Sequence, residues 1–267
     1  MKVTKYLSFA VLLLIALTNT AFGQTLTDIL NKHYAALGGI AKISSVKTQY
    51  MEGTTSADGK NIDYKRWGLN DKAMRLQFEV MGTTNVQVVT DKSGWVLMPV
   101  MMQTSPQDMD AATLNAMKPM LDLTGSELYN YTAKGKTLSL IGKDTVNAKP
   151  AYKIKVVTKE GNVGYVFLDA ESYYIVRAEN TLKLGGQEQK MVSDFSDFRK
   201  TPDGYVYPAK STQGAQGGMI TMTIDKMEIN KPIDESMFAK PAAAPGEVPP
   251  PPAAPLVVPS QPKSAKN

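Results

Sequence analysis

The sequence predicts a mainly β protein of the α+β class, a large antiparallel sheet curled into an unclosed barrel under a helical lid. Three observations predict it. From Val46 to Ile229 apolar and polar residues alternate in one strand-like segment after another. Only one substantial helical pattern interrupts them, which excludes a series of parallel βαβ units. About eleven long strands form a sheet too large and too twisted to stay flat, so it curls and leaves an apolar concave face that needs a cover.

The first element is helical. Leu26, Ile29, Leu30, Tyr34 and Leu37 recur at helical spacing over 25–37; Thr25 or Thr27 can cap the start, and Gly38-Gly39 ends it. Strands 46–56 and 61–69 follow, joined through Asp58-Gly59. Residues 72–80 show the clearest period of two, with Met74, Leu76, Phe78 and Val80 facing one way and Arg75, Gln77 and Glu79 the other. Val86 and Val88 continue the pattern, and Ser93-Gly94 turns into a strand at 95–100 that begins with Trp95.

The pattern breaks at Met101. Ser105-Pro106 reads as a helix start with Asp108 in the first turn; the helix runs through Met109, Leu114 and Met117, and Pro119 ends or kinks it. A second short helix is expected at 125–131. Strands resume at 137–141, 151–158 and 164–168, then at 174–184, 187–198, 205–213 and 219–229, with Gly185-Gly186 and Gly217-Gly218 as turns.

Both ends differ from this body. Lys2 and Lys5, the apolar run Leu7 to Leu17 and the small-x-small triplet Ala21-Phe22-Gly23 form an export signal, with cleavage expected after Gly23. No cysteine follows the cut to carry a lipid, so a periplasmic, unanchored protein is expected rather than a lipoprotein. Residues 24–240 are long enough for a single core, which must hold without disulfides. From Pro241 the chain is rich in Pro and Ala, including Pro249-Pro250-Pro251-Pro252, and reads as an extended disordered tail reaching up to roughly 80 Å at ~3.1 Å per residue. It is either a plain tail or a tether and docking strip.

Composition narrows the function. The formal charge of +5 falls to +3 without Lys2 and Lys5, and the basic residues alternate along strands, so no nucleic acid is expected. The chain has one histidine, His33, and no cysteine. His33 lies beside the apolar stripe of the first helix and reads as a half-buried or surface residue. Asp108 with Asp110, and Asp234 with Glu235, sit where acids favour a helix start; Asp194 and Asp197 read as solvent-facing. No nucleophile elbow, zinc-protease, P-loop or dinucleotide motif occurs. No catalytic residue, metal or cofactor is expected, and the chain reads as a binder rather than an enzyme.

Several segments resemble the outer-membrane lipoprotein-sorting family, the LolA/LolB-like half-barrel. They are Lys32 to Gly39 with Val46-Lys47, Asp91 to Trp95, Leu140 to Asp144, Tyr152 to Val156, Tyr165 to Asp169, Ser193 to Arg199 and Asp203 to Pro208. The resemblance covers most of 27–230 and lies in turns and strand edges. It implies a periplasmic location, an unclosed barrel with a helical lid and a cavity for acyl chains.

On this reading the cavity is lined by Met74, Leu76, Phe78, Val80, Val86, Val88 and Trp95, and beyond them by Tyr152, Ile154, Val156, Tyr165 and Phe167. The lid supplies Met101, Met102, Met109, Leu114, Met117, Met120 and Leu121. Six of the fifteen methionines, from Met98 to Met120, crowd this region; an unbranched polarizable side chain suits a variable apolar partner, and equally suits ordinary core filling. If the face of Ile62, Tyr64 and Arg66 points inward, Arg66 can bond a lid carbonyl or a lipid headgroup; in the opposite register it is a surface residue. The expected partners are a lipid or lipidated protein, with membrane-associated donor and acceptor proteins, bound by a monomer. The alternative is a protein-interaction or envelope-sensor module on the same fold, docking through the proline-rich tail.

Overall fold

The computed structural model describes residues 24–57, 59–184, 187–215 and 218–241. The segment expected to be an export signal, the residues beyond Pro241, and Asp58, Gly185, Gly186, Gln216 and Gly217 lie outside them.

Helix α1 (Leu26–Ala36) starts on a reciprocal cap: the Thr25 hydroxyl accepts from the Asp28 amide, and the Asp28 carboxylate accepts from the Thr25 amide. Its buried face is Ile29, Leu30 and His33. A short helix α2 (Ile40–Ser44) follows the two glycines.

The strands are β1 (Thr48–Ala57), β2 (Lys60–Leu69), β3 (Ala73–Val80), β4 (Thr83–Thr90), β5 (Gly94–Leu97) and β6 (Gln107–Asp108). They continue as β7 (Thr137–Val146), β8 (Lys149–Val157), β9 (Val163–Asp169), β10 (Ile175–Leu184), β11 (Gln187–Lys200), β12 (Val206–Ala215) and β13 (Gly218–Ile229). All thirteen join one antiparallel sheet in the order β6-β5-β4-β3-β2-β1-β13-β12-β11-β10-β9-β8-β7. The β1–β13 pairing is the seam between two meanders. The sheet is open, with β6 and β7 as its edges.

Because β6 and β7 are consecutive in the chain yet at opposite edges, residues 109–136 must cross the sheet between them. They do so on one face, which is therefore the concave, covered one. Leu121 packs against Met74 and Val89, Leu123 against Met51, Tyr64, Tyr205 and Met227, and Leu128 against Ile154 and Leu168 together with Ile29 and Leu30 of α1.

This crossing differs from its expected form. Gln107–Asp108 pairs with Val96 and Trp95 instead of opening a helix. Helix α3 (Ala111–Met117) begins only after Asp110, whose carboxylate accepts from the Thr113 amide at 2.8 Å. Pro119 sits in a 3-10 turn, Lys118–Leu121, and 125–131 forms turns, not a helix. Asp108 is drawn outward to Lys240 at 2.9 Å. The Asp234 carboxylate caps the short turn Glu235–Phe238, and Asp194 is tied to Arg177 by two hydrogen bonds.

The convex face has its own cover. Phe238 packs on Trp95, Val86, Val88, Leu69 and Ala73, the Trp95 indole donates to the Phe238 carbonyl at 3.2 Å, and Arg75 donates to the Met237 carbonyl at 3.0 Å.

Candidate functional site: the covered concave face

Register decides which side chains the insertion covers. In adjacent antiparallel strands directly opposed residues share a face. Met74 opposes Val89 and Gly68, Leu76 opposes Gln87 and Arg66, and Phe78 opposes Asn85 and Tyr64, so these lie together on the concave side, with Val80 following by alternation. Val86, Val88 and Trp95 lie on the other side, beneath Phe238: Val86 opposes Gln77 and Leu97, and Val88 opposes Arg75 and Trp95. The expectation that they share a lining with Met74 is corrected: β4 carries valine at 86, 88 and 89, and the one-residue offset that selects Val89 is set by pairing. The second half repeats this. Tyr152, Ile154 and Val156 face α1 with Val166 and Leu168. Tyr165 and Phe167 lie on the opposite face of the sheet, Phe167 buried against Val146 and Ala151, with the Lys153 ammonium 5.1 Å from each ring.

Arg66 points inward. Its Nη2 donates to the Met120 carbonyl at 2.6 Å. Its Nε is enclosed with no hydrogen-bond partner, and burial lowers its pKa from the ordinary arginine range. Its nearest titratable neighbours are the phenols of Tyr64 and Tyr205, each pushed by burial up to about 12. This guanidinium ties the insertion to β2 with one charge-assisted bond, worth about 1.5–3 kcal/mol. Arg66→Ala should therefore speed amide exchange in 110–120 by roughly tenfold or more, read by hydrogen–deuterium exchange mass spectrometry. Unchanged exchange there would remove Arg66 as a latch.

The two halves of the insertion are held very differently. The C-terminal half is anchored. Leu121, Leu123 and Leu128 are buried; the Asn70 side chain accepts from the Leu123 amide at 2.8 Å, and the Asp71 amide donates to the Leu121 carbonyl. Tyr205 and Tyr34 donate to the carbonyls of Leu123 and Leu128. Two glycines permit this closeness. A Cβ on Gly68 would stand 3.0 Å from both Leu123 methyls, and one on Gly125, which has φ +74°, would stand 2.3 Å from the Tyr205 hydroxyl. The N-terminal half is lighter. Helix α3 buries no residue completely and rests on half-buried Met109, Leu114 and Met117. The Gln87 amide donates to the Met117 sulfur at 2.8 Å.

His33 is the group that the residue pattern misjudged. It is buried, not half-exposed, with 1% of its surface accessible. Its Nδ1 lies 2.8 Å from the Tyr173 carbonyl and its Nε2 2.7 Å from the Ser126 hydroxyl. A carbonyl only accepts, so Nδ1 carries the proton and Nε2 accepts from Ser126. One imidazole thus joins α1, the β9–β10 turn and the insertion. Burial pushes its pKa down to about 4.

The remaining lid residues divide. Met120 is 42% exposed and contributes its carbonyl rather than its side chain. Met101 and Met102 are not under the lid: Pro99–Met101 is a 3-10 turn, Met102 has φ +61°, and the two side chains are exposed at the barrel end. At that end β1, β3 and β12 finish and β2, β4 and β13 begin. Toward it the concave face continues past α3 as half-buried Ile62, Phe78 and Val80, with Ile220 and Met222 exposed.

No family model matches the sequence, and no curated protein matches it. Solved structures do. A LolA superfamily protein from Nitrosomonas europaea superposes with a TM-score of 0.53 at 13% identity, over 82% of this chain and 99% of that one. An outer membrane lipoprotein-sorting protein domain from Vibrio parahaemolyticus gives 0.53 at 10% identity, over 79% and 94%. A DUF1329 family protein from Desulfovibrio piger gives 0.53 at 14% identity, over 78% and 95%. At these identities the likeness is one of fold.

Proposed function

We propose that this chain, which has the LolA-like half-barrel fold, is a periplasmic, non-enzymatic binder of a lipid or lipoprotein acyl chain. The observation that carries the proposal is the unequal insertion: an apolar concave face lies under a helix that is lightly held at 109–120 and firmly anchored at 121–128. Helix α3 is the moving cover. Arg66 releases the Met120 carbonyl, α3 lifts, and the chain enters along Phe78 and Val80 toward Met74. Each buried methylene contributes ~0.8 kcal/mol, so about ten of them set an upper bound near micromolar affinity, from which ordering costs are subtracted. An envelope-sensor role remains the rival reading; it requires the groove to take a protein segment in place of a lipid.

A dansyl-labelled fatty acid tests the site. Met117→Gln should weaken its binding by roughly tenfold, since a half-buried methionine facing the ligand becomes polar, while thermal stability changes by only about 1 kcal/mol. Met120→Gln should alter neither, because that side chain points to solvent. Equal losses of binding and stability at Met117 would make it ordinary core. Saturable binding that the Met117 change leaves untouched would place the ligand elsewhere.

A further inference from the structure

The convex face carries a cleft, separate from the covered side. Tyr50 of β1 opposes Trp67 of β2, and their rings stand 5.4 Å apart, inclined by 45°. With Pro232 and Ile233 they bound a cleft of about 330 Å³, which Lys65, Lys226, Lys231 and a single acid, Glu228, also line. Lys226 is paired with Glu228 at 3.3 Å and lies 5.4 Å from the Tyr50 ring. An aromatic-floored cleft is the type of surface on which extended proline runs dock, because such a run is already ordered and presents flat apolar rings.

The chain supplies such a run. After Ile233 it crosses the convex face, seats Phe238 in the same cluster as Trp67 and Ile233, and ties Lys240 to Asp108 of β6. It therefore leaves the described fold on the cleft's own side. Beyond Pro241 the sequence contains one acidic residue, Glu247, followed by Val248 and then Pro249-Pro250-Pro251-Pro252. From β6 to β2 is four strand spacings, about 19 Å at ~4.8 Å each. The eight residue steps from Pro241 to Pro249 reach about 25 Å at ~3.1 Å per residue. The tether is long enough.

We propose that Glu247–Pro252 of this chain's own tail docks in the Tyr50–Trp67 cleft, its prolines on the two rings and the Glu247 carboxylate against the lysine rim. The tail is then parked behind the sheet, away from the mouth of the concave groove.

The test uses the chain from Gln24 to Asn267 and its two indole N–H resonances. Trp95, bound to the Phe238 carbonyl, is the internal control. Changing Pro249, Pro250, Pro251 and Pro252 together to Gly should shift the Trp67 resonance and leave Trp95 in place; Glu247→Lys should shift Trp67 part of the way in the same direction. A nitroxide on Ala253→Cys, unique because the chain has no other cysteine, should broaden amides around Lys65 and Trp67 even when labelled protein is diluted into unlabelled. A Trp67 resonance indifferent to all three changes overturns the proposal. Broadening that disappears on such dilution also overturns it, and assigns the contact to the tail of a second copy.

Discussion

Leu128→Ala should lower stability by about 3 kcal/mol, a fall in melting temperature of roughly 6–12 °C for a chain of this size. Leu128 is completely buried where the insertion, α1 and the β8–β9 hairpin meet. Its amide is held by the Ser126 hydroxyl and its carbonyl by Tyr34, so the surrounding backbone cannot collapse into the space left behind. The lost methyl groups and the residual cavity both count against the variant. The functional consequence is distinct from that of Arg66. Losing the anchor frees the whole crossing segment, so exchange should rise over 121–130 as well as 110–120. Thermal unfolding together with exchange mass spectrometry measures both; a change confined to 110–120 would mean that Leu128 does not anchor the insertion.

Acid should act through His33. Its pKa is about 4 in the folded protein against 6.5 for the free group. Between those values the unfolded chain takes up a proton that the folded chain refuses. Stability is therefore complete above pH 6.5 and is lost as pH falls toward 4, by about 3 kcal/mol at ~1.36 kcal/mol per pH unit. Carboxylates held low by hydrogen bonds, such as Asp110 and Asp203, lose their contribution only below their ordinary value of 3.8, so the two windows separate. His33→Gln should flatten the dependence of melting temperature on pH between 6.5 and 4 and leave the steeper fall below it. An unchanged profile in the variant would show that another group carries the dependence.

What the residue pattern could and could not reveal follows from how each feature is encoded. The strict alternation of Met74, Leu76, Phe78 and Val80 fixes a face locally, and the structure keeps those four on one side of β3. Arg66 falls on that same side by the alternation within β2, as one of two weighed registers had it. Val86 and Val88 were misassigned because their face is set by pairing with Arg75 and Gln77, a relation between strands that composition does not carry. The start of α3 was misplaced because Pro106 is as compatible with a strand edge as with a helix, and the pairing of Gln107 and Asp108 with β5 is tertiary. His33 is half of a contact whose other half, Ser126, lies 93 residues away. The spacing of the α1 stripe gives a faint clue, since His33 follows Ile29 by four residues and so shares its face. The glycines that admit the lid, Gly68 in mid-strand and Gly125 in a turn, carry the clearest unused signal: a glycine inside a strand marks a close approach.

On the proposed function, the concave face beneath α3 holds an acyl chain. Native mass spectrometry of residues 24–267 isolated from a periplasm tests it most directly, with a second sample stripped by organic solvent and then re-exposed to lipids. An adduct of acyl-lipid mass is expected, lost on stripping and regained on re-exposure, with the regained fraction lowered by Met117→Gln. A folded protein that shows only its bare mass in both samples would contradict it.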